Sequence, residues 1–96
     1  MLEFDIIQNS SPSYCVRHGN ITADFHTVLS MLITFRDADR DSFWYQQSPA
    51  VAFLCDLGIL AQVGDNIYSV TRKDRVVEII NALSDYMDRQ VNSPEA

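Results

Sequence analysis

Cys15 and His18 are spaced Cys-x-x-His, which suits one half of a zinc site, and His26 and Cys55 are the only other Cys or His in the chain. His26 and Cys55 fall on predicted helices with no paired-ligand spacing, and a lone cysteine on an apolar helix reads as core. No metal or other cofactor is therefore expected. Cys15 and His18 do not make a nucleophile and its base either, because residues three apart on a strand face opposite sides. Asp37-x-Asp39-x-Asp41 resembles the start of a calcium loop, but its sixth position is Ser42 where glycine is needed, and its twelfth is Ser48 where a bidentate Glu is needed. Without those ligands the run reads as a polar connector, with a second use as an acidic contact strip for a basic partner. No Ser-His-Asp order, glycine-rich phosphate loop or pair of catalytic carboxylates stands out, so enzyme activity is not expected.

Two other groupings suit binding. Phe43-Trp44-Tyr45 cannot all turn inward on one short helix, because neighbours there point about 100° apart. One or two of them are expected at the surface, where Trp and Tyr dominate interface energetics. With Gln46 and Gln47 they form a candidate partner-binding patch beside the Asp37, Asp39 and Asp41 strip; the alternative is that they cap the core. Arg72, Lys73 and Arg75 gather three of the chain's seven cations into one helical turn. A helix N-terminus with adjacent cations suits an anion, either a DNA phosphate or an acidic patch of a protein. Asp74 and Glu78 also allow a solvated, partly neutralised face.

The elements that position these residues come from a single small domain, since 96 residues cannot build two hydrophobic cores. Hydrophobic residues are 47% and charged residues 21% of the chain, too apolar for intrinsic disorder. Thirteen Asp+Glu against seven Lys+Arg give a net charge of −6, which repels nucleic-acid phosphates and anionic membranes. No apolar run approaches the ~20 residues of a membrane span. Glu3 and Asp5 stand where a signal peptide would be basic, and two cysteines are too few for a disulfide framework. A cytoplasmic chain is expected.

Residues 1–18 read as two short strands around a turn over Gln8–Ser13, with a short helix as the alternative for the first strand. They can add to the sheet of a later hairpin or pair with a partner's exposed edge. Thr22 as N-cap and the stripe Phe25, Val28, Leu29, Leu32 predict a helix over about 23–36. Ser42–Gln47 reads as a short helix. Ser48 as N-cap and Pro49 at the first helical position open another over 49–57, which Gly58 ends. Ile59–Val63 and Ile67–Val70 form a hairpin around Gly64-Asp65-Asn66. Thr71, with Asp74 in the capping-box position, opens a last helix whose apolar face is Val76, Ile79, Ile80, Leu83 and Tyr86 or Met87. Asn92, Ser93 and Pro94 mark a tail over 91–96.

This order, with Phe53-Leu54-Cys55-Asp56-Leu57-Gly58-Ile59-Leu60, a hairpin and Tyr68-Ser69-Val70-Thr71, resembles the winged-helix domains of bacterial regulators over residues 22–90. The resemblance implies an α+β fold, winged-helix-like, with three helices, a β-hairpin wing and a C-terminal helix, here preceded by the N-terminal hairpin. It also implies that the 49–57 helix lies in a DNA major groove. The residues of that helix depart from such a use: it offers no cation and no amide, and only Gln46, Gln47 and Ser48 at its front edge can donate to a base. The expected function is therefore that of a small acidic regulatory protein acting through a protein partner, as an inhibitor or adaptor. One way to do so, as acidic chains of bacteria and phages do, is to block a nucleic-acid-binding complex. The alternative is a homodimeric DNA-binding regulator that holds phosphates through Arg72, Lys73 and Arg75. In either case the last helix can form a dimer seam, for which exposure of Val77 is the marker.

Overall fold

A computed structural model describes residues 4–10 and 13–91; the expected strand residue Glu3, the turn at 11–12 and the tail at 92–96 lie outside the described residues. Among the described residues the fold is α+β, with three helices and two three-stranded antiparallel sheets.

The first sheet is β1 (Asp5–Ser10), β2 (Ser13–His18) and β3 (Ile21–Asp24), in that order. The expected hairpin thus gains a third strand, and it makes its own sheet instead of extending the later one. Gln8–Ser10, read from its polar residues as turn, continues β1, with a register shift between Gln8 and Ser10. Gly19 turns the chain into β3 at φ +62, a left-handed conformation that glycine, having no Cβ, adopts without steric cost. Thr22 pairs with Arg17 in this ladder and so is not the helix cap; Asp24 is.

Helix α1 spans Phe25–Asp37 and buries Phe25, Val28, Met31, Leu32 and Phe35, while Leu29 is partly buried. The segment expected to be a short helix instead forms β4 (Ser42–Trp44). Its burial alternates out, in, out, which is the two-residue period of a pleat and not the turn of a helix. Helix α2 (Pro49–Asp56) starts as expected: the Ser48 hydroxyl accepts the Val51 N–H, and Pro49 occupies the first turn. Gly58 ends it at φ +82. Strands β5 (Leu60–Gly64) and β6 (Ile67–Val70) follow, joined by a turn in which Asn66 has φ 58. The second sheet has the order β4-β6-β5.

Helix α3 spans Lys73–Val91. Thr71 is not its cap. The Thr71 N–H donates to the Ile59 carbonyl at 2.9 Å and its hydroxyl to that of Gly58 at 2.6 Å, so it continues β6 and ties it to the end of α2. The Arg72 carbonyl accepts the first helical N–H groups, those of Arg75 and Val76. Val76, Ile79, Ile80 and Leu83 are buried as the stripe predicts, and both Tyr86 and Met87 are half-buried.

One buried cluster takes residues from both sheets and all three helices. The N-terminal sheet closes it through rings: Phe4 meets Phe53 edge-on at 5.3 Å, and Tyr14 meets Tyr86 at 5.8 Å. His18 at the end of β2 pairs with Asp56 at the end of α2. No helix among the described residues is long and apolar enough to cross a membrane.

Candidate protein-interaction surface

Strand β4 divides the aromatic run by pleat. The Asp41 carbonyl accepts the Val70 N–H at 2.8 Å and the Tyr45 N–H donates to the Asn66 carbonyl at 2.9 Å, which fixes β4 against β6. Phe43 therefore faces inward, 5% exposed, with its ring 5.0 Å from that of Phe35. The Arg40 guanidinium lies 5.0 Å over the same ring, a cation–π contact. Tyr45 is half-buried against Phe35, and burial pushes its phenol above the usual range, against a smaller pull from the Arg40 charge. Trp44 points the other way and is 63% exposed.

Register gives Trp44 its neighbours. It pairs with Ile67, which is 41% exposed and in turn pairs with Gly64 on β5. The next row on the same face is Ser42, Ser69 and Ala61. The outer face of this sheet thus carries a tryptophan, an isoleucine, two serines, an alanine and a glycine, and no charge. Val63, at the register shift beside Gly64, adds a side chain 61% exposed. Ile67 and Val63 were not among the residues singled out from the sequence. The signal for Ile67 was present: with Tyr68 and Val70 inward, a two-residue period turns Ile67 outward.

Gln46 and Gln47 are exposed where β4 leads into α2. Gln47 lies around the sheet from Trp44, in a groove of about 500 Å³ lined by Ser48, Pro49, Ala52, Cys55, Gln62 and Tyr68. Ala50, Val51, Phe53, Leu54 and Leu57 are buried, so the apolar character of the 49–57 helix is spent largely on its own core. Its exposed side is Pro49, Ala52, Asp56 and part of Cys55, whose thiol burial pushes up in pKa.

The acidic strip and the basic cluster meet. Lys73 pairs with Asp41 at 2.7 Å, Arg72 lies 3.9 Å from Asp74, and Arg75 lies 2.8 Å from Glu78. Asp37 is held by Arg36, whose hydrogen bond keeps its carboxyl below the usual range. Asp39 makes no ion pair among the described residues, and neither does Asp65 at the β5–β6 turn. Three or more potential metal ligands do not cluster anywhere among the described residues, and His18 is paired with Asp56. Val77 on α3 is 44% exposed, with the exposed Lys73, Asp74 and Asn81 one turn away on either side.

No protein-family model, curated protein or solved structure matches this chain.

Proposed function

We propose that this chain is a small acidic regulatory domain of winged-helix-like build that acts by binding another protein, as an inhibitor or adaptor, through the outer face of the β4-β6-β5 sheet. The observation that carries this reading is Trp44. A tryptophan 63% exposed beside an exposed isoleucine, on a sheet face without charge, is a costly arrangement in water unless a partner covers it. The winged-helix part of the reading is supported by the order α1, β4, α2, β5, β6, with β6 between the other two strands. DNA recognition has no such support, since α2 offers no cation and the cluster at the start of α3 is engaged by Asp41, Asp74 and Glu78.

The test is capture of a partner from lysate by the intact chain and by Trp44→Ala. Retention of a partner by the wild type and its loss from the variant, at an unchanged melting temperature, is the expected result. Equal capture by both, or binding of mixed duplex DNA that falls steeply with salt, would overturn the reading.

A further inference from the structure

Strand β4 is an edge, and its backbone polarity follows from the ladder. The Asp41 carbonyl and the Tyr45 N–H both point at β6. Alternation along an antiparallel strand then turns the N–H and C=O of Ser42 and Trp44 away from the sheet. Among the described residues no backbone hydrogen bond is made to them, and no strand other than β6 lies beside β4. Edge strands are ordinarily blunted by charge, proline or a bulge, because unpaired backbone groups recruit other chains. The opposite edge obeys this: β5 is bulged between Gln62 and Gly64, and the Gln62 amide donates to the Gly64 carbonyl at 3.1 Å. Edge β4 does not. From Ser42 to Ser48 the chain has no charge and no proline, and its aromatic core favours strand pairing.

We infer that β4 is a docking edge, to which an extended, basic-ended segment of a partner protein adds as a fourth strand beside Trp44. This rests on the protein-binding reading above and names the partner's chemistry. Backbone hydrogen bonds to Ser42 and Trp44 supply the attachment, and an apolar side chain on the added strand packs against Trp44, its cross-strand neighbour. The charge at the strand's two ends selects the occupant. Asp39 precedes β4 and Asp65 lies at the turn beyond Trp44, both without an ion-pair partner among the described residues. An added strand with Lys or Arg at its ends neutralises both, whereas a second copy of this chain brings another six negative charges, and the one cation at the start of its own β4, Arg40, stands between Asp39 and Asp41.

Trp44 is the chain's only tryptophan, so its fluorescence reports on this edge directly. The probe is a synthetic peptide of about ten residues, alternating Val and Thr with two Lys at each end, which leaves a central stretch of about six residues, the usual strand length, to pair. Titrated into the intact chain, it is expected to shift Trp44 emission to shorter wavelength, with an affinity that falls as salt rises. The same peptide N-methylated on alternate residues keeps its charge but loses the N–H donors of one edge, and should bind roughly tenfold more weakly or worse, as the loss of about two hydrogen bonds implies. A Glu-ended peptide should bind more weakly still. Ser42→Pro, which removes an outward N–H without touching the β4–β6 ladder, should weaken the Lys-ended peptide at unchanged melting temperature; should it unfold, the N-methylated peptide alone decides. Equal binding of the N-methylated or the Glu-ended peptide overturns the inference, as does no binding of any peptide. So does a concentration-dependent shift of Trp44 emission in the free chain that tracks dimer formation in sedimentation, since the occupant is then a second copy. If partner capture depends on Trp44 while no peptide binds, strand addition is refuted and the sheet-face reading stands.

Discussion

The Asp24 carboxylate accepts the Thr27 N–H at 2.9 Å and the Thr27 hydroxyl at 3.0 Å where β3 gives way to α1. The backbone hydrogen bond is the main reason its carboxyl titrates below the ordinary 3.8; burial opposes it, and the Thr27 hydroxyl and the nearby His26 act in the same direction as the backbone. A carboxyl whose folded value lies below its unfolded one stabilises the fold above the unfolded value and loses that stabilisation as pH falls through the folded one. Removing this cap by Asp24→Ala should cost about 1 kcal/mol at neutral pH, the usual worth of an N-cap. The gap between variant and wild type should then narrow as pH drops below 3.8, as urea unfolding midpoints at pH 7 and pH 3 would register. An undiminished gap at the lower pH would show that the charged cap is not what the residue contributes. Thr22 was the residue the sequence favoured for this role. It lost it because β3 runs on to Asp24, a pairing with β2 that no local signal around Ile21–Asp24 announces.

Elements with strong local chemistry could be read directly. The stripe of α1, the Ser48-Pro49 start and Gly58 stop of α2, and the β5–β6 hairpin all stand where residue types place them. Strand β4 could not, because three residues are too few to display a period, and Phe43-Trp44-Tyr45 fits a helix or a strand until β6 supplies its backbone partners. That difference decides what the aromatics do. On a pleat, Phe43 goes to the core with Phe35, and Trp44 is left on the surface. Phe35→Ala should therefore cost about 3–5 kcal/mol, the range for truncating a buried phenylalanine. Trp44→Ala should stay within roughly 0.5 kcal/mol of wild type, as surface substitutions do. Paired urea titrations measure both. A Trp44→Ala loss of the Phe35 size would mean that the tryptophan is a core residue and that the outer sheet face is not an available surface.

Across the whole molecule, every one of the seven cations has a partner. Arg17 is near Asp5, Arg36 holds Asp37, Arg72 is near Asp74, Lys73 holds Asp41, Arg75 holds Glu78 and Arg89 holds Asp85, while Arg40 lies over Phe43. The charge left over is negative, consistent with a net charge of −6. Exposed pairs of this kind are worth only ~0–1 kcal/mol each, so they do not hold the fold together. Their effect is on the field: a phosphate approaching Arg72, Lys73 and Arg75 meets Asp74, Asp41 and Glu78 as well. A labelled mixed-sequence duplex should show no anisotropy change with the wild type even at ~50 mM salt, where phosphate contacts are strong. The triple variant Asp41→Asn, Asp74→Asn, Glu78→Gln removes the three carboxylate charges that face this cluster and should bind the same duplex weakly, with an affinity that falls as salt rises. The fold should survive it, because none of the three carboxylates is buried. Duplex binding by the wild type with a steep salt dependence would mean that the pairs exchange readily for phosphates, and would return the cluster at the start of α3 to nucleic-acid recognition.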